Sequence, residues 1–298
     1  MSPTRRIHRL ALVGSGIAGS LSPVLHTDEA TALGLESFDY SLIDLEACGR
    51  DPREAGEVLH EAVDAGYTGF NVTHPCKQVV IDVLDVLDSR AEMLGAVNTV
   101  VVGPEALVGH NTDYTGFAAA MERSLRTVPR GTVVLTGAGG AGAAVAHALA
   151  DGGVETLVVI DPDVERAGEL AASVQTEHEG TRAWPGDLSE GADLLAGAAG
   201  LVNASPIGMH GYPGTPLPLS GLTSDHWVAD IVYRPLETVL LREARVLGCR
   251  TMDGVDMLVG QAAEAFTLMT EIAPDPERMH RVLRRRLASR AGAEVRAV

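Results

Sequence analysis

The chain has 298 residues, of which 46% are apolar, 21% charged and 4% aromatic, a balance that argues against a disordered or fibrous chain and for two domains packed on aliphatic cores. Its net charge of -17 repels phosphate backbones and anionic lipid, so neither nucleic acid nor a membrane surface is expected as a partner and a small molecule is. The three cysteines, Cys48, Cys76 and Cys249, include no CxxC pair, which indicates neither a disulfide framework nor a zinc site and suits a reducing cytoplasm.

Arg5, Arg6 and Arg9 precede an apolar run at residues 10–13. The run is too short and too glycine-broken for a secretory signal, and no stretch approaches the ~20 apolar residues of a membrane span. Residues 10–13 read as the first strand, Ser22 with Pro23 as a helix start, and residues 38–43 as the next strand, followed by a second helix start at Asp51 with Pro52. Further strands are read at residues 68–70, 132–135, 156–160 and 201–202, with a helix over 141–150 and a third start at Asp161 with Pro162. This alternation predicts an α/β fold with parallel strands. Residues 211–220 crowd prolines and glycines into a loop, and residues 275–290 set Arg278, Arg281, Arg284, Arg285 and Arg286 beside apolar positions, as in an amphipathic terminal helix with a solvated basic face.

The pattern GxGxxG occurs twice, at Gly14, Gly16 and Gly19 and at Gly137, Gly139 and Gly142. A dinucleotide site needs the turn to open directly into a helix, whose free amides and dipole receive the pyrophosphate. The second copy meets this requirement, and the strand after it ends in Asp161, about 20 residues on, where a carboxylate can accept from ribose hydroxyls. The first copy runs instead into Ser20, Leu21, Ser22 and Pro23, so its glycines are expected to shape a substrate loop.

Of the 23 basic residues Lys77 is the only lysine. Either it is a surface lysine that persisted by chance, or it performs a task closed to a guanidinium, namely giving up a proton near neutral pH as a general acid and base. It follows Asn71, Thr73 and His74 beyond a strand, where ligands of open α/β sheets bind. Asn98 with Thr99, and Asn111 with Thr112 and Asp113, form two further polar clusters, suited to a polyhydroxylated ligand or to ordinary capping.

The motifs Ser20-Leu-Ser-Pro-Val-Leu-His26, Asn71-Val-Thr-His-Pro-Cys-Lys77, Gly95-Ala-Val-Asn-Thr99, Gly109-His-Asn-Thr-Asp113, Gly137-Ala-Gly-Gly140, Asn203-Ala-Ser-Pro-Ile-Gly-Met209 and Gln261-Ala-Ala-Glu-Ala-Phe266 follow one another in this order. In this the chain resembles the shikimate and quinate dehydrogenase family, over almost its whole length. The resemblance implies an N-terminal α/β substrate-binding domain over 1–113, a Rossmann-type NAD(P)-binding domain over 114–253, and C-terminal helices over 254–298 returning to the first domain. It implies Lys77 and Asp113 as the catalytic pair, Ser20 and Ser22 on the substrate carboxylate, and Thr73, Asn98, Asp113 and Gln261 on ring hydroxyls. On the cofactor side it implies Gly137, Gly139, Gly140 and Ala141 at the pyrophosphate, Asp161 and Arg166 near the ribose, and Asn203, Ala204, Ser205, Pro206, Ile231 and Gly254 toward the nicotinamide. His26, His74 and His110 stand beside the motifs and are assigned structural or supporting places.

The chemistry implied is reversible hydride transfer between shikimate and 3-dehydroshikimate, with NAD preferred over NADP and no metal. Asp161-Pro162-Asp163 stands where NADP-using members carry an Asn-Arg-Thr type sequence, which points to NAD. Quinate, or an amino-substituted ring, is the alternative substrate, and Ser22 in place of threonine favours shikimate. A homodimer is among the expectations. A folate-linked or hydroxy-acid dehydrogenase would share the cofactor turn but not the set Ser20, Lys77 and Asp113, and a non-catalytic dinucleotide sensor would need no lysine and carboxylate pair.

Overall fold

The computed structural model describes residues 7–296, with side chains to residue 289; Arg5 and Arg6 lie outside the described residues. It divides into two compact units, one running to Thr112 and including residues 261–283, the other formed by residues 113–260 and those from Arg284 on.

The first unit carries strands β1 (His8–Gly14), β2 (Phe38–Asp44), β3 (Gly69–Val72), β4 (Val86–Leu87), β5 (Thr99–Val102) and β6 (Leu107–His110), in the order β2-β1-β3-β5-β6-β4. Strand β1 pairs in parallel with both β2 and β3, with Leu10 opposite Tyr40 and Gly69. Leu10 and Leu12 pack on one face with Tyr40, Ala265 and Met269, and Ala11 and Val13 on the other with Leu59, Phe70 and Val100. A strand covered on both faces reads as an unbroken apolar run. The sheet is mixed, because β5 runs antiparallel to β3 and to β6. The turn at residues 103–106, closed by Gly103 N donating to Ala106 O at 2.9 Å, is too short for the crossover a parallel pair needs. Helices α1 (Ser22–Ala32), α2 (Ala55–Asp64) and α3 (Ser89–Leu94) complete this part, and α4 (Thr112–Ser124) begins where the units divide.

The second unit is parallel throughout: β7 (Thr132–Thr136), β8 (Thr156–Ile160), β9 (Arg182–Pro185), β10 (Gly200–Asn203), β11 (Trp227–Asp230) and β12 (Arg250–Met252) lie in the order β12-β11-β10-β7-β8-β9. This is the doubly wound dinucleotide-fold order, whose direction of build reverses between β7 and β10. Helices α5 (Gly140–Asp151), α6 (Val164–Glu177), α7 (Gly191–Ala196), α8 (Val239–Val246) and α9 (Gly254–Thr270) follow their strands, and α10 (Pro276–Arg296) ends the described chain. Among the described residues no helix is long and apolar enough to cross a membrane.

Three local expectations are revised. Leu21, not Ser22, caps α1, so Ser22 and Pro23 occupy its first two positions. Asp163, not Asp161, caps α6 by accepting from Arg166 N at 3.1 Å, which releases Asp161 for other partners. Arg278 and Arg284 do not form a merely solvated face. Arg278 grips the buried Glu29 of α1 through Nε at 2.8 Å and Nη2 at 2.6 Å, and Arg284 reaches Asp253 at 2.6 Å. All three cysteines are free, Cys48 exposed and Cys76 and Cys249 buried.

Candidate active site

In the first unit the order β2-β1-β3 puts the direction reversal between β1 and β3, so a crevice for a ligand is expected beyond their carboxyl ends. Two loops stand there. The loop after β1 carries the first glycine pattern, but its amides are taken: Gly16 N and Ile17 N each donate to Asp44 at 2.9 Å. Burial acts to raise the Asp44 carboxyl, and those amides with two more from Glu46 and Ala47 outweigh it and hold it below the ordinary range. A turn whose amides already bind a carboxylate offers no cradle for a pyrophosphate.

The same loop delivers Ser20 and Ser22, whose hydroxyls lie 3.3 Å apart while Ser22 N donates to Ser20 Oγ at 3.2 Å. From Ser22 the bonding continues to the phenol of Tyr40. Burial raises the Tyr40 pKa, so the phenol stays protonated and donates to Asn71 Oδ1 at 2.7 Å. Asn71 Nδ2 in turn donates to Thr99 Oγ1 at 3.1 Å, Thr99 to Asn98 Oδ1 at 3.1 Å, and Asn98 Nδ2 to Gln261 Oε1 at 3.4 Å. Ser20, Ser22, Asn98 and Gln261 are thus stations on one hydrogen-bonded run. Of its linkers, Asn71 and Thr99 read in the sequence only as members of polar clusters beside the site, and Tyr40 is not singled out there.

The loop after β3 turns through a cis His74–Pro75 peptide and closes with Cys76 N donating to Thr73 O at 2.9 Å. Lys77 comes next, half-buried, with its carbonyl accepting Val97 N at 2.8 Å; its backbone is therefore fixed from both sides. His26 is buried and stacked on Tyr40, and burial pushes it down to about 3, so it stays neutral. His110 pairs with Asp88 at 2.8 Å, and His74 is exposed.

In the second unit Asp113 occupies the first turn of α4 and is buried. The turn after β7 has its first glycine at a φ of 97°, with a Cβ there only 2.7 Å from the Ala204 carbonyl, so Gly137 is required both by conformation and by the approach of the loop after β10. Gly139 and Gly140 are exposed with nothing near a would-be Cβ. No side chain caps α5, whereas Asp51, Asp88, Asp163 and Thr238 cap other helical starts. Amides at an open, uncapped helix start placed at the β7/β10 reversal fit a pyrophosphate.

Asp161 directly follows β8 and is 6% exposed. Its Oδ2 accepts Ala138 N at 2.7 Å, and its Oδ1 accepts Asp163 N at 2.9 Å and Arg166 Nη2 at 2.6 Å. Burial acts to raise this carboxyl, and the Ala138 and Asp163 amides with Arg166 hold it below the ordinary range. Across the reversal, Asn203 ends β10 fully buried, while Ala204 and Ser205 are half-buried and Pro206 is exposed. Ile231 N donates to Asn203 O at 3.0 Å. A Cβ on Gly254 would lie 2.3 Å from Ile231 O, so only glycine allows α9 to start against the end of β11. Among the described residues no group of His, Cys, Asp and Glu is placed to hold a metal ion.

Comparison with known proteins adds the following. The profile for the shikimate dehydrogenase substrate binding domain matches residues 12–100, and that for the shikimate 5'-dehydrogenase C-terminal domain matches residues 254–284. A shikimate dehydrogenase (NADP(+)) of Streptomyces avermitilis is 49% identical over 93% of this chain and 94% of its own. A quinate/shikimate dehydrogenase (NAD(+)) of Corynebacterium efficiens is 45% identical over 91% of this chain and 95% of its own. The solved structure of quinate dehydrogenase from Corynebacterium glutamicum in complex with NAD has a TM-score of 0.87 and 42% identity, and covers 93% of this chain and 98% of that one.

Proposed function

The chain belongs to the shikimate and quinate dehydrogenase family of NAD(P)-dependent oxidoreductases, and from that premise we propose that it interconverts shikimate and 3-dehydroshikimate with Lys77 and Asp113 as the acid/base pair. The observation that supports this reading is the hydrogen-bonded run from Ser20 to Gln261 on one unit, which includes Ser20, Ser22, Asn98 and Gln261, the residues assigned to the ring carboxylate and hydroxyls. In this reading residues 1–113 bind substrate and 114–253 bind the dinucleotide; of the 254–298 segment expected to return to the first domain, residues 261–283 group with the first unit. Initial rates with shikimate and with quinate, each with NAD and with NADP, test it; no turnover of either acid would overturn it. The similarity to quinate-acting relatives keeps quinate as the second reading.

A bound nicotinamide supplies the hydride acceptor and donor. In oxidation the substrate hydroxyl loses its proton to the Lys77 amine as hydride leaves the same carbon; in reduction the Lys77 ammonium returns that proton to the forming alkoxide. Asp113 accepts from the neighbouring ring hydroxyl and orients the pair. Thr73, Asn98 and Gln261 hold the remaining hydroxyls, and Gly137, Gly139, Gly140 and Ala141 receive the pyrophosphate.

If Ser20 and Ser22 hold the ring carboxylate, changing both to alanine leaves an anion under-satisfied and is expected to raise KM at least about tenfold for every carboxylated substrate. The affinity for the dinucleotide is expected to stay unchanged, since the nearby Gly16 and Ile17 amides are held by Asp44. Equal weakening of dinucleotide binding would assign the first glycine turn to the cofactor instead.

We infer a preference for NAD from Asp161. In NAD its carboxylate accepts from the 2'-hydroxyl; in NADP a 2'-phosphate meets it. Arg166 is already paired to Asp161 at 2.6 Å, so recruiting it to a phosphate strips the carboxylate of its partner beside a second anion. The wild type is expected to show higher kcat/KM with NAD, and Asp161→Asn or Asp161→Ala to reduce or reverse the ratio. Greater efficiency of the wild type with NADP under matched conditions would refute the reading of this position.

A further inference from the structure

We propose that Asp230 is a positioning residue for the nicotinamide half of the dinucleotide site, acting through the side-chain amide of Asn203. The proposal rests on the cofactor reading above and concerns a residue to which neither the motifs nor the chemistry has given a part.

Asp230 ends β11 and is 0% exposed. Its Oδ1 accepts Asn203 Nδ2 at 2.9 Å and Val232 N at 3.0 Å, and its Oδ2 accepts the Thr238 hydroxyl at 2.7 Å. Thr238 meanwhile caps α8 by accepting Leu241 N at 3.2 Å. One carboxylate therefore ties the end of β10, the exit of β11 and the start of α8. In a doubly wound sheet these strands form the second mononucleotide-binding half, while β7 to β9 form the first.

The amide of Asn203 can point in two directions, and Asp230 is the side-chain group that, with Ile207 O and Ser205 N, holds it in one. An ionised carboxylate only accepts, so the NH2 group of Asn203 must face it. The Asn203 oxygen is then turned to the loop that follows, where it accepts Thr136 Oγ1 at 3.1 Å, Ser205 N at 3.1 Å and Ser205 Oγ at 2.6 Å. The same NH2 also donates to Ile207 O at 2.9 Å. Reversing the amide would set its NH2 against the Ser205 N–H and its oxygen against a carboxylate. The acceptor at position 230 is thus linked through one amide to the conformation of residues 204–207. Val232 N, held by the same Oδ1, fixes the peptide next to Ile231, against which Gly254 packs.

The position is an expensive one for an acid. Burial pushes the Asp230 carboxyl up to about 6, and Asp253 adds to the rise. Asn203 Nδ2, Val232 N and the Thr238 hydroxyl, which donate to it, are neutral groups. An apolar residue of similar size would cost less to bury here, and what the acid adds is the geometry of the groups it accepts from.

The test uses the full chain and two ligands, NADH and ADP-ribose, the second lacking the nicotinamide. In Asp230→Ala the Kd for NADH is expected to rise at least about tenfold, the consequence of unsatisfied donors in the loop, while that for ADP-ribose stays within about twofold. Asp230→Asn keeps an oxygen for Asn203 and Val232 and is expected to restore NADH affinity to within about threefold of wild type. Thr238→Val, isosteric and retaining the acid, is the variant to read if the alanine chain does not fold; it is expected to weaken NADH about threefold with ADP-ribose unchanged. Unchanged NADH affinity in the readable variant, or equal loss for both ligands, overturns the assignment. A wild-type chain that binds neither ligand overturns the cofactor reading and the assignment with it.

Discussion

Lys77→Ala is expected to lower turnover with shikimate at least about a hundredfold, the low end for loss of a general acid and base, while KM for shikimate moves only a few fold. The side chain emerges from a backbone fixed by the Thr73 to Cys76 turn and by Val97 N on the Lys77 carbonyl at 2.8 Å. Truncation therefore removes the amine without releasing the loop that carries Thr73. Lys77→Arg is expected to fail to a similar degree. It keeps a cation in place, but a guanidinium does not give up its proton in the working range. Steady-state kinetics of both variants decide the matter: near-normal kcat in either one removes Lys77 from the proton-transfer step, and a large rise in KM with kcat preserved would make it a binding group instead.

Arg278→Ala is expected to destabilise the chain, seen as a clear fall in the urea midpoint of unfolding, because it removes the cationic partner of a buried carboxylate. Glu29 is 1% exposed and accepts two bonds from the guanidinium and one from Asp275 N at 2.7 Å. With the arginine gone, one backbone donor faces a carboxylate buried under α1. The double change Glu29→Leu with Arg278→Met removes the charge along with its partner and is expected to recover most of the loss. Urea unfolding of the two variants tests this. An unchanged urea midpoint in Arg278→Ala would mean that Glu29 finds other partners or water.

The sequence made the second glycine turn legible because everything needed to recognise it is local: a strand, a helix that begins at once, and a carboxylate one strand later. The Arg278 contact was not legible, because its partner lies 249 positions away and a helical arginine beside other arginines looks solvated. Helix starts were misplaced by one or two residues at Ser22 and Asp161 for a related reason. Both are good cap residues followed by proline, and only the folded chain shows Asp161 drawn to Ala138 N instead. The polar run through Tyr40, Asn71 and Thr99 joins three strands whose pairing sets it, so no single segment announces it. The β5 and β6 pair escaped because Asn98 and Thr99 look like loop residues, although β5 begins at Thr99. Asp230 carries no local signal in the sequence, because its role rests on Thr238, eight residues on, and on Asn203, 27 residues back, which only the fold brings together.

The distribution of the three thiols gives the chain a built-in set of unfolding reporters. Cys48 is exposed, Cys76 belongs to the first unit and Cys249 to the second, both of the latter free but buried, with burial raising their thiol pKa. A maleimide therefore labels Cys48 from the native state, whereas Cys76 and Cys249 become reactive only when their surroundings open. Because the two protected thiols sit in different units, peptide-resolved labelling times the opening of each half separately, without an engineered probe. Ligands sort themselves by the same clock: one that seats on the first unit slows Cys76, and one that seats on the second slows Cys249.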